Sequence, residues 1–144
     1  MITVHIADTP EKLLRCKKVL FDFRPQLNES NYMEVLQKLH DNGSVIVYTE
    51  ENEIATSVAI FETGFKIHRG NYLYIDDLAT LPEYRNKGYA AALLNWIELY
   101  ARDRNIDQIH LDSGVHRHDA HRLYLKRGYI ISGHHFVLKD FNNS

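Results

Sequence analysis

The stretch from Asn71 to Ser113 constrains this chain most. NYLYIDDLAT reads as a strand, LPEYRNKG as a turn, the apolar run up to Ala101 as a helix, and QIHLDS as a further short strand. A strand, a helix and a strand in that order make a crossover unit, whose helix has to lie on a face of the sheet. Ala91, Leu93, Leu94, Ile97 and Tyr100 supply the apolar stripe that the helix would bury there.

The remaining segments extend that unit. ITVHIA alternates Ile2, Val4 and Ile6 against Thr3 and His5, the period of a half-buried strand. Thr9 followed by Pro10 is a helix start, Pro25 closes that helix, and Tyr32 to His40 is a second helix stopped by Asn42-Gly43. SVIVYT, the polar turn EENE and IATSVAIFETGF predict a hairpin. DAHRLYLKRG predicts a short helix ending at Gly128, and YIISGHHFVL a last strand interrupted at Gly133. The order β-α-α-β-β-β-α-β-α-β predicts an α/β fold with a mixed central sheet and helices on both faces. Its 144 residues, 44% apolar, suffice for one core, so a single domain over residues 1–144 is expected.

Composition excludes several classes. Cys16 is the one cysteine, which rules out an intrachain disulfide and fits a reducing compartment. A formal charge of −2 is not the basic footprint of a nucleic-acid binder, and none is expected as a partner. The N-terminal MITVHIADTPEK lacks a basic and apolar leader, and no window reaches about 18 consecutive apolar residues, so a cytoplasmic chain without a membrane partner is expected. Exposed edge strands would permit a homodimer.

The turn LPEYRNKGYA carries the chemistry. A helix start leaves unpaired N–H groups and the positive end of the helix dipole, and a glycine there admits an anion to the main chain. Gly88 supplies that freedom, and Arg85 and Lys87 add charge at the rim. Neither a dinucleotide fingerprint nor a nucleoside triphosphate loop is present. LATLPEYRNKGYAAALL resembles the acetyl-coenzyme A loop of the GCN5-related N-acetyltransferases, Arg/Gln-x-x-Gly-x-Gly/Ala after a strand. A second segment of that family, A-x-x-x-Y-x-x-x-G-[FY], is matched by Ala120, Tyr124, Gly128 and Tyr129 in DAHRLYLKRGY. Where many members have Asn three residues before that Ala, this chain has Arg117, which could reach a phosphate instead.

The resemblance implies acetyl-CoA as cosubstrate and direct transfer of its acetyl group to a primary amine, either a small cationic amine or a peptide or protein amine. It assigns the thioester carbonyl and pantetheine contacts to a bulge at Leu78, Ala79 and Thr80, and the pyrophosphate to the main chain of Arg85, Asn86, Lys87, Gly88, Tyr89 and Ala90. Tyr124 is then the candidate acid for the departing thiolate, since a phenol with a reference pKa of about 10 keeps its proton at neutral pH. Asp76 and Asp77 are candidates to hold the ammonium and take its proton. As neighbours in a strand they would face opposite sides unless a bulge intervened. His134 and His135 are alternative bases. His116, His118 and His121 have no recognised metal-ligand spacing, so no metal is expected. A non-enzymatic acyl-CoA sensor or regulatory module would keep the loop and lose the chemistry; Tyr124 and the acidic pair speak for an enzyme.

Overall fold

The computed structural model describes residues 1–142. Packing divides the chain into two units, Met1–Leu111 and the residues from Asp112 onward.

In the first unit Thr9 is extended and its side-chain oxygen accepts from the Lys12 N–H at 3.2 Å, capping α1 (Pro10–Arg15) with Pro10 in the first turn. The single helix expected to run on to Pro25 is two. At Cys16 the N–H donates to the Leu13 carbonyl three residues back, a tighter turn than the α-helix allows, and α2 (Lys17–Phe23) starts afresh. α3 (Tyr32–Asp41) ends at Gly43, which has φ +93°.

The sheet has five strands in the order β1 (His5–Ile6), β2 (Val45–Glu51), β3 (Ile54–Lys66), β4 (Gly70–Thr80) and β5 (Gln108–Leu111). The first four are antiparallel neighbours and β5 lies parallel to β4, so the sheet is mixed as expected. β1 is shorter than its alternation suggested; only His5 and Ile6 pair with β2. The β2–β3 hairpin closes through Asn52 and Glu53, both at positive φ, a turn whose twist matches that of the flanking strands.

Helices cover both faces. Leu13, Cys16, Val19 and Leu20 from α1, α2 and their junction, with Tyr32 and Leu36 from α3, bury against Ile46, Tyr48, Val58, Ile60 and Ala79. The opposite parity of β3 presents Phe61 to α4 (Tyr89–Asp103), where it meets Tyr100 edge-on at 5.0 Å and Trp96 at 6.3 Å. The Tyr32 hydroxyl, buried in the first face, donates to the Leu13 carbonyl at 2.6 Å.

The second unit holds α5 (His118–Lys126), closed by Gly128 at φ +95° and by the Tyr129 N–H donating to the Tyr124 carbonyl. The last strand expected over 129–138 does not form. An alternating apolar pattern becomes a strand only where a neighbouring ladder takes up its main-chain groups. Among the described residues none does so here, and Ile130, Ile131, Phe136, Val137 and Leu138 stay exposed.

Candidate active site

The β3–β4 ladder pairs Phe61 with Ile75 and Ile60 with Asp77, so Asp76 is an extra residue without an opposite number. This is the bulge of the strand, and it falls at Asp76 rather than at Leu78, Ala79 and Thr80, which run in regular register with Ala59, Val58 and Ser57. The insertion resets the side-chain alternation. Glu62 and Tyr74 before it, and Ile60 and Asp77 after it, all lie on the face that α1 to α3 cover, and Asp76 joins them instead of pointing away.

The second consequence concerns the other edge of β4. Its parallel pairing with β5 runs from Tyr72 to Ile75 and ends opposite Leu111. From Asp76 to Thr80, alternate main-chain groups of β4 are therefore turned away from β3 toward a side where no described strand pairs with them. An extended ligand could hydrogen-bond there as a strand would.

The two aspartates meet different fates. Arg24, at the C-terminal end of α2, donates from Nε to Asp77 Oδ1 at 2.5 Å and from Nη2 to the main-chain oxygen of Asp76 at 3.1 Å. Asp77 is well covered, with 15% of its side chain accessible. The Asp76 carboxyl is exposed at its outer edge, yet its pKa is pushed up to about 6: lost hydration raises it most, Glu62 and Asp77 add to the rise, and Arg24 draws it back.

After Thr80 the chain turns through a short 3-10 segment, Pro82–Tyr84, into the loop that starts α4. Gly88 is the N-cap with φ +89° and Asn86 also has positive φ, so the loop is folded tightly against the helix start. No side chain caps this helix and its first turn carries no acidic residue, which leaves the N–H groups of Tyr89, Ala90 and Ala91 without intrahelical acceptors. Arg85, Asn86, Lys87 and Gly88 are all exposed. Tyr84 and Tyr89 pack edge-on at 5.9 Å, the Lys87 ammonium lies 5.5 Å from the Tyr84 ring centre, and the Tyr89 hydroxyl donates to Glu51. The loop is braced while its donors stay open, the arrangement that suits a phosphate.

A cavity of about 370 Å³ lies beside this helix start, bordered by Ile2, His5, Glu50, Glu51 and Tyr89. Its carboxylates are engaged, Glu50 with Arg15 at 3.2 Å and with His5 at 3.4 Å, and Glu51 with Tyr89.

In the second unit Tyr124 is buried within α5 and packs on Tyr129 with ring centres 6.0 Å apart. Burial pushes its hydroxyl up from the ordinary phenol value, and Arg117, the N-cap residue of α5, pulls it partly back. His135 Nδ1 lies 3.0 Å from Asp112, and His121 Nε2 meets the Gly114 carbonyl at 2.8 Å. Among the described residues no three His, Cys, Asp or Glu side chains are grouped to hold a metal ion. No described helix is long and apolar enough to cross a membrane.

A model of the acetyltransferase (GNAT) family matches residues 12–129. The chain belongs to the GNAT family. It is therefore an acyltransferase. Its relatives include YhdJ of Bacillus subtilis (strain 168), an uncharacterized N-acetyltransferase 28% identical over 138 residues, which are 94% of this chain and 97% of that protein. An aminoalkylphosphonate N-acetyltransferase of Salmonella typhimurium is 36% identical over 66 residues, 45% of this chain and 43% of its own. Among solved structures, AAC(6')-Iy in complex with the bisubstrate analog CoA-S-monomethyl-acetylneamine superposes with a TM-score of 0.82 at 8% identity, over 97% of this chain and 98% of that one. At that identity the likeness is one of fold.

Three residues at the site carried no sequence signal. Arg24 precedes Pro25 at a helix end, 53 residues before the aspartate it binds; Glu62 sits in a strand where only the pairing register brings it near Asp76, and Glu51 meets Tyr89, 38 residues on, only when α4 packs.

Proposed function

We propose that this GNAT enzyme moves an acetyl group from acetyl-CoA directly to a primary amine of a small cationic or peptide substrate. The observation that carries the reading is the uncapped start of α4, with Gly88 at φ +89°, following a bulged strand whose outer edge beyond Ile75 pairs with no described strand. Gly88 and the N–H groups of Tyr89 and Ala90 would hold the pyrophosphate, with Arg85, Asn86 and Lys87 at its rim. Leu78, Ala79 and Thr80 would hydrogen-bond the pantetheine arm and polarise the thioester carbonyl through their unpaired main-chain groups, although they are not themselves the bulge. Arg117 would meet a phosphate.

Asp76 and Asp77 would hold the ammonium and remove its proton. Tyr124 would protonate the thiolate; its position in the A-x-x-x-Y segment and a hydroxyl kept protonated by burial support that role. A relative named for an aminoalkylphosphonate acceptor supports an amine as the acceptor class. Cys16 is buried and its thiol is pushed up to about 12 by burial first and Glu50 second, which speaks against a covalent acyl-cysteine.

Thiol release from acetyl-CoA across a panel of amines, amino sugars, polyamines and peptides, with wild type and Tyr124→Phe, tests the reading. Amine-dependent release that Tyr124→Phe slows is expected. Saturable acetyl-CoA binding with no turnover on any amine would replace it with an acyl-CoA sensor.

A further inference from the structure

We infer that Arg24 is a positioning residue that divides the labour of the aspartate pair, pinning Asp77 as its own counter-ion and leaving Asp76 as the group that takes the proton from the acceptor amine. This rests on the acetyl-transfer reading above and names the base within it.

The geometry is specific to the bulge. Without the extra residue, the Asp76 and Asp77 side chains would lie on opposite faces of β4. With it, one guanidinium grips the Asp77 carboxylate through Nε and the Asp76 carbonyl through Nη2. Asp77 is thereby covered and neutralised, whereas the Asp76 carboxyl has no hydrogen-bonded cation among the described residues; Arg24 touches only its backbone. The Arg24 ring-facing side lies 4.3 Å from the Phe23 ring centre, which holds the guanidinium at this junction.

The charged groups bearing on Asp76 are Glu62 from β3, Asp77 beside it in β4, and Arg24 from the end of α2. Lost hydration first, and then two negative neighbours against one shared cation, raise the Asp76 carboxyl toward the range that proton abstraction near neutral pH requires. In the step itself the amine nitrogen bonds to the acetyl carbon as the carbon–sulfur bond breaks. The nitrogen's proton passes to the Asp76 carboxylate, directly or through one water, and the sulfur leaves with the bonding pair and is protonated by an acid.

Two readouts on Arg24→Gln, Arg24→Lys, Asp77→Asn and Asp76→Asn test this. The first is the carbon-13 titration of the Asp76 carboxyl, which needs no activity; the second is the pH profile of kcat/KM for the amine at saturating acetyl-CoA. Arg24→Gln should move the Asp76 midpoint and the acid limb of the profile upward together, and Asp77→Asn should move both downward. Arg24→Lys, which keeps the charge but not the fork, should restore the midpoint more fully than kcat. Asp76→Asn should lower kcat by roughly 10²-fold or more, the usual share of a general base, with the KM for acetyl-CoA little changed. The inference is overturned if the midpoint ignores Arg24→Gln, or if Asp77→Asn costs as much as Asp76→Asn. Should wild type acetylate no amine, the parent reading falls and with it the base, while the titration alone still decides whether Arg24 separates the two carboxyls.

Discussion

Replacing Gly88 by alanine separates two things this glycine does. A Cβ built there meets only Ile2 Cδ1, at 3.7 Å, an ordinary contact, so no steric clash is created inside the protein. The backbone, however, sits at φ +89°, where an L-residue is disfavoured by about 1–2 kcal/mol. For a chain of this size that converts to a Tm lower by roughly 3–8 °C in differential scanning calorimetry. Asparagine tolerates this conformation better, so Gly88→Asn should lose less stability than Gly88→Ala. Cofactor affinity should follow a different order. Any side chain at the mouth of the helix start keeps a phosphate from the free N–H groups, and losing one charge-assisted hydrogen bond costs about 1.5–3 kcal/mol, or roughly 10- to 150-fold in Kd. Calorimetric titration with CoA should therefore show weakened binding for Ala, Asn and Val alike, independent of their Tm values. An unchanged Tm in Gly88→Ala refutes the conformational argument, and an unchanged Kd in all three variants removes the pyrophosphate seat.

Native protein treated with iodoacetamide at pH 8 should leave Cys16 unlabelled, and one equivalent should react in guanidinium; labelling at the rate of a free thiol in the native state would reopen a covalent route. Tyr124→Phe should reduce kcat by roughly 10²–10³-fold in thiol-release assays, because it removes only the proton donor; a loss confined to the KM for acetyl-CoA would make it a packing residue. The raised Asp76 carboxyl implies a stability trade. Its folded pKa lies above the unfolded value, so its destabilising effect is absent below about pH 4, grows as pH rises, and is complete above about pH 6. Asp76→Asn should then match wild type in unfolding free energy at pH 3 and exceed it at pH 7.5 by up to about 1 kcal/mol after solvent screening; a less stable variant at pH 7.5 would contradict the assignment.

Local signals were legible where one residue's own chemistry decides the outcome. Thr9-Pro10 starts a helix, Asn42-Gly43 ends one, and Gly88 opens α4, because capping and positive φ are properties of a few adjacent residues. What could not be read depends on partners distant in the chain. The bulge is a mismatch between two strands, so nothing in YIDDLAT marks Asp76 as the inserted residue until Ile60 and Phe61 lie opposite it. Arg24 likewise becomes meaningful only when α2 ends over that bulge. YIISGHHFVL has the pattern of a strand but no ladder beside it among the described residues, so pattern alone does not supply the hydrogen bonds.

The central claim is direct acetyl transfer to nitrogen, and label transfer tests it most directly. With acetyl-CoA carrying carbon-13 at the carbonyl and a productive amine, one labelled N-acetyl amide should form for each thiol released, while the protein's intact mass stays free of an acetyl adduct throughout turnover. Thiol release without labelled amide, or a labelled acetyl group held on the protein, would contradict it.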